Sequence, residues 1–133
     1  MPKPLHLNTV ALAGNVFTEP QAGQGPKSPW LRFRLVFDER LGKNADGSAH
    51  THANFIDCIV FGPYAEALER GGLSKGEHVV LMGHLHMSSW TDKDSGKSRS
   101  SIGLIVERIE RDRGSWGASM EDALVELLAE GDL

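Results

Sequence analysis

The stretch NFIDCIVFGPYAEALERGGLSKGEHVVLMGHLHM, residues 54–87, decides the fold. Its opening, NFIDCIVF (54–61), is short and rich in aromatic and β-branched side chains, and reads as a strand. In GPYAEALERGGLSKG (62–76), Pro63 suits a first helical turn, good helix formers follow, and Gly71-Gly72 stops them. EHVVLMGHLHM (77–87) returns to a strand. A single short helix between two strands is the element around which the rest must be arranged.

Upstream, LNTVALAGNVFT (7–18) alternates loosely around Gly14, which marks a bend or bulge in a long first strand. PQAGQGPKSP (20–29) is dense in Gly and Pro and reads as a loop. WLRFRLVFDE (30–39) alternates strictly, with Leu31, Phe33, Leu35 and Phe37 on one face and Arg32, Arg34 and Val36 on the other. RLGKNADGSAHTHA (40–53), with Asp46-Gly47, reads as a long hairpin loop, and KSRSSIGLIVERIE (97–110) as the fifth strand. Three strands, a helix and two strands, with long loops after strands one, two and four, predict an all-β, five-stranded Greek-key barrel of the oligonucleotide-binding type, the OB-fold.

The 133 residues divide into this domain, residues 1–113, and a short acidic tail, 114–133. All 14 Lys and Arg lie in the domain against 13 Asp and Glu, a balance of +1; the last 20 residues hold five acids and no base, a balance of −5. A near-neutral body with a separate acidic tail is compatible with a nucleic-acid partner despite the overall charge of −4. In the tail, Met120, Ala123, Leu124, Leu127 and Leu128 fall at helical spacing, with Ser119 and Asp122 at capping positions. That pattern fits a C-terminal helix docked on the barrel or on a sister subunit, an acidic peptide for a protein partner, or simple disorder. With 40% apolar and 24% charged residues the composition is that of a soluble globular protein. The start, MPKPLHLNTVALAG, lacks a secretory pattern, and no apolar run approaches the roughly 18 residues that span a bilayer. A cytoplasmic protein without a membrane partner is expected. The single Cys58 agrees with a reducing compartment and reads as a small buried hydrophobe.

On the strand 54–61, Phe55, Asp57, Ile59 and Phe61 share one face and Ile56, Cys58 and Val60 the other. One face fills the barrel. The two phenylalanines either pack under loops or in a subunit interface, or serve as platforms for unpaired bases. Arg32 and Arg34 are either a solvated face or a route to phosphates. Trp90, at the root of a hairpin with Lys93, Lys97 and Arg99, either tucks against the barrel or closes over a single strand. Arg40 and Lys43, in the loop before, are further candidate contacts. The pairs His50/His52 and His84/His86 lack a second cysteine or a recognised ligand spacing, so neither metal nor cofactor is expected. No nucleophile with a base, phosphate-cradling glycine motif or pocketed carboxylate pair suggests an enzyme.

NTVALAGNV near the start, LRFRLVF in the second strand and the long block from Asn54 to Ile109 resemble the bacterial and phage single-stranded DNA-binding proteins over roughly residues 7–110. The resemblance implies an OB-fold that stacks bases on Phe55, Phe61 and Trp90. Leu41 stands where that family commonly has a further stacking tryptophan, a departure that implies weaker or shorter binding, or compensation by Trp30 in preference to the inward Phe37. It also implies a homotetramer, with a dimer as the alternative, and Val80 and Met82 would then lie on an outer face covered by a subunit. The family's usual tail is a long linker with a Pro-Phe tip that docks replication and repair proteins; here the chain ends in Asp132-Leu133. The expected function is sequence-nonspecific binding and protection of single-stranded DNA in replication, recombination and repair, at the nucleoid. The alternative is a protein-interaction module such as a primosomal accessory protein, or a single-stranded RNA binder.

Overall fold

The computed structural model describes residues 4–111, in the order β1 (Val10–Val16), β2 (Gln21–Gln24), β3 (Pro29–Lys43), β4 (Ala49–Phe61), α1 (Pro63–Arg70), β5 (His78–Thr91) and β6 (Ser98–Arg111). The readings made for residues 114–133 lie outside the described residues. β1 pairs with β5 along Val10–Asn15 and then crosses to β3 through Asn15↔Val36 and Val16↔Leu35. This closes the ring β1-β5-β6-β4-β3 into a five-stranded barrel, with β2 added outside it on the start of β3. The β4–β6 contact is parallel, as a Greek-key closure requires, and the other pairings are antiparallel. Gly14 sits at the crossing. A Cβ there would stand 2.2 Å from the Val36 carbonyl oxygen, so only glycine lets the strand pass so close.

Alternation in β3 and β4 supplies the core. Leu31, Phe33, Leu35, Cys58 and Val60 point inward to meet Val79, Leu81, Leu104 and Val106 from β5 and β6. Helix α1 begins at Pro63 behind Gly62, ends at Gly71 and turns Ala65 and Leu68 into the same cluster. The Tyr64 hydroxyl latches it to β6, accepting from the Ile109 N–H at 2.8 Å and donating to the Ile109 carbonyl at 3.1 Å. Arg111 secures the barrel end through Glu77, Nε to Oε1 at 2.9 Å, and through the Gly71 carbonyl at 2.7 Å.

Several boundaries differ from the sequence expectation. The Gly- and Pro-dense segment contains the strand β2, because an edge strand needs backbone partners and no hydrophobic alternation. The segment 40–53 is mostly strand: β3 and β4 stay paired as far as Lys43↔Ala49, leaving only residues 44–48 between them. Trp90 lies within β5 and not past its end. Val80 and Met82 alternate with the core residues Val79 and Leu81 and stand outside the cluster that fills the barrel, but they are buried and not exposed.

Candidate nucleic-acid interface

Strand register gathers most of the candidate residues on one surface. Between β3 and β4, Trp30 is opposite Phe61, Arg32 opposite Ile59, Arg34 opposite Asp57 and Val36 opposite Phe55. Directly opposed residues share a face. β6 continues it through Asp57↔Gly103 and Ile59↔Ile105, and β5 through His86↔Gly103, Ser88↔Ser101 and Trp90↔Arg99. The alternate positions in β3, β4 and β6 carry the core, so this is the outer face of the barrel, four strands wide.

Its rings are presented, not tucked away: Phe55 is 48% exposed, Phe61 46% and Trp90 51%. Phe17 meets Phe55 edge to face, with ring centroids 4.8 Å apart and planes at 70°. This ring escaped the sequence reading, although its place directly after the buried Val16 puts it on the outside by parity. Trp30 is half-buried against Gly23 of β2, and the Arg32 guanidinium lies 5.1 Å from its ring centroid. Trp30 and Phe61 also border a cleft of about 450 Å³ with Lys27, a second residue the sequence reading passed over.

The cations are loosely held. Arg34 Nε donates to Asp57 Oδ1 at 3.0 Å, and Arg99 Nε lies 3.3 Å from Asp92 Oδ2, with about half of each arginine side chain exposed. Exposed pairs of this kind contribute about 0–1 kcal/mol, so a phosphate can displace either carboxylate at little cost. Asp92 is also engaged by the turn, where the Asp94 N–H at its carboxylate holds it below the usual range. Lys93 and Lys97 are exposed in the turn joining β5 to β6, and Arg40 and Lys43 are exposed at the far end of β3. Between Arg40↔Thr51 and Gly42↔His50 the register shifts, which leaves Leu41 as the extra residue of a bulge, 52% exposed.

A cleft of about 400 Å³ crosses the middle of this face, bordered by Arg32, Asp57, Ile59, Phe61, His86 and Gly103 among others. One histidine of each pair has a polar partner, with His50 Nδ1 3.0 Å from Asn44 Oδ1 and His84 Nδ1 2.6 Å from Glu107 Oε1. Among the described residues no three His, Cys, Asp or Glu side chains cluster as a metal ion requires. Cys58 is buried directly beneath the face, and burial, with the Asp57 carboxylate adding to it, pushes its thiol up to about 12. No helix of the described residues is long and apolar enough to cross a membrane.

A closed five-stranded barrel with half-exposed rings beside guanidinium groups on its outer face has the architecture of an oligonucleotide-binding fold. The chain belongs to the single-strand binding protein family, which it matches over residues 7–112. It is 32% identical over 99 residues to the single-stranded DNA-binding protein of Borreliella burgdorferi, covering 74% of this chain and 64% of that one. It is 30% identical over 106 residues to the protein of the same name from Fusobacterium nucleatum, covering 78% and 66%. The chain thus spans slightly less than two thirds of the length of these curated relatives. The crystal structure of the small single-stranded DNA-binding protein from Streptomyces coelicolor superimposes with a TM-score of 0.65 at 25% identity, over 83% of this chain and 98% of that one.

Proposed function

We propose that this chain binds single-stranded DNA, largely independently of sequence, and protects exposed strands during replication, recombination and repair. The observation that carries the reading is the joining of Phe55, Phe61 and Trp90, each about half exposed, with Arg32, Arg34 and Arg99 on one four-stranded surface. Ring faces accept any base by stacking, and the guanidinium groups follow the phosphates. Binding of this kind involves no bond making, so the role is that of a non-catalytic coat. Lys93 and Lys97 on the β5–β6 turn, and Arg40 and Lys43 on the extended end of β3, supply positive charge to either side of the rings.

The working form is a homo-oligomer, a tetramer or a dimer, in the cytoplasm. Its support is the apolar surface on the other side of the β5–β6 ribbon, where Met87 and Ile102 face each other in register and are 64% and 51% exposed. The acidic tail serves replication and repair proteins. Titration of the full chain with oligo-dT should quench tryptophan fluorescence, with a site size of tens of nucleotides per oligomer and an affinity that falls steeply with salt. Absence of quenching at low salt would refute single-strand binding and leave a protein-interaction module on the same barrel.

A further inference from the structure

Asp57 is an acid in the middle of a surface meant for phosphates, and its surroundings suggest what it does there. Across four neighbouring strands the register aligns His86, Gly103, Asp57 and Arg34 in one row. Gly103 leaves a gap in that row. With strands about 4.8 Å apart, His86 and Asp57 stand about 10 Å from each other across bare backbone. A Cβ on Gly103 would lie 3.1 Å from the Asp57 carbonyl oxygen and project into the gap, so glycine keeps its floor open. The gap belongs to the cleft of about 400 Å³, whose lining also includes Ile59 and Phe61. In the free chain Arg34 Nε takes Asp57 Oδ1 at 3.0 Å and leaves the other carboxylate oxygen as an acceptor; a phosphate that draws the exposed Arg34 away frees both oxygens to accept.

We infer that Asp57 is a specificity-determining residue, which accepts a hydrogen bond from the exocyclic amino group of a base laid over Gly103 and so favours cytosine over thymine at that position. The inference rests on single-strand binding by this face. Phe55 and Phe61 read only the flat faces of bases and cannot tell one pyrimidine from the other. A carboxylate can, because cytosine offers N4–H as a donor to it, the pairing by which Asp and Glu select cytosine. Thymine presents the O4 carbonyl at the same place, which repels the carboxylate. The two pyrimidines also differ at N3 and in the C5 methyl group of thymine, differences that are the same for every variant, so the test compares the dC to dT ratio of the natural chain with that of the substituted chains.

The test is a thermodynamic cycle on the full chain. Affinities for oligo-dC and oligo-dT of equal length are measured by tryptophan quenching at one salt concentration, for the natural chain and for Asp57→Ala and Asp57→Asn. Removing the negative charge raises affinity for both strands, so the readout is the ratio of dC to dT affinity within each protein, which a purely electrostatic or structural role does not move. The expected result is a ratio about fivefold lower in Asp57→Ala, the size of one charge-assisted hydrogen bond at an exposed site. Asp57→Asn, which keeps a carbonyl acceptor, should retain part of the ratio. A ratio unchanged in Asp57→Ala overturns the inference while leaving single-strand binding intact; failure of the natural chain to bind either strand overturns both.

Discussion

Phe55 packs edge to face with Phe17, ring centroids 4.8 Å apart, and stays about half exposed. A ring held this way buries little of itself in the barrel but is preorganised for a base. Phe55→Ala is therefore expected to weaken oligo-dT binding by about 1–3 kcal/mol, read by fluorescence titration, with little change in the urea midpoint. The opposite pattern, stability lost and binding kept, would make the ring structural. Cys58, the next residue but two, shows the consequence of facing the other way. Its thiol ionises near 9 in the unfolded chain and at about 12 in the barrel, so the folded state holds the proton more tightly. The stability this contributes is complete below pH ~9 and is lost as the pH rises towards ~12, amounting to about 2 kcal/mol by pH ~10.5. Urea midpoints of the natural chain and of Cys58→Val, compared at neutral pH and at pH ~10.5, should show the natural chain losing more. Parallel losses in the two proteins would remove the thiol as the cause.

At the scale of elements, the bend in β1 holds the barrel shut, because the same strand must serve β5 with one stretch and β3 with the next. Gly14→Ala places a methyl group 2.2 Å from the Val36 carbonyl oxygen, and that oxygen belongs to backbone that cannot swing aside. The expected loss is about 1–3 kcal/mol in urea unfolding, and an unaltered midpoint would show that the crossing can relax. This bend was legible in the sequence, as were the helix at Pro63 and the parity of Phe55 and Phe61. Each depends on local chemistry: a glycine inside an apolar strand, a proline at a helix start, an alternation imposed by the core. What was not legible lies where the core ends. From Asp38 to Lys43 and from Ala49 to Ala53 the two strands run beyond the barrel with exposed side chains, so backbone pairing and polar side chains hold them and no hydrophobic period betrays them. β2 was hidden for the same reason. The place of Trp90 within β5 and the row from His86 to Arg34 depended on registers between distant segments, which no single stretch of sequence contains.

For the whole molecule, the distribution of charge matters more than its sum. The domain of residues 1–113 is close to neutral at +1, yet Arg32, Arg34 and Arg99 stand on the face with the rings, while Glu121, Asp122, Glu126, Glu130 and Asp132 give the last 20 residues −5. A tethered polyanion of that charge would be held at high effective concentration around the domain, and the expectation is that it competes with phosphates for the same guanidinium groups. Such competition is screened by salt, with a Debye length of about 10 Å at 0.1 M and about 3 Å at 1 M, whereas stacking on Phe55, Phe61 and Trp90 is not. Deleting residues 115–133 should therefore tighten oligo-dT binding at low salt, and the gain should shrink as salt rises until the two proteins bind alike. Equal affinities at every salt concentration would sink the competition. A fall in urea midpoint without any change in binding would assign the tail to the barrel's stability instead.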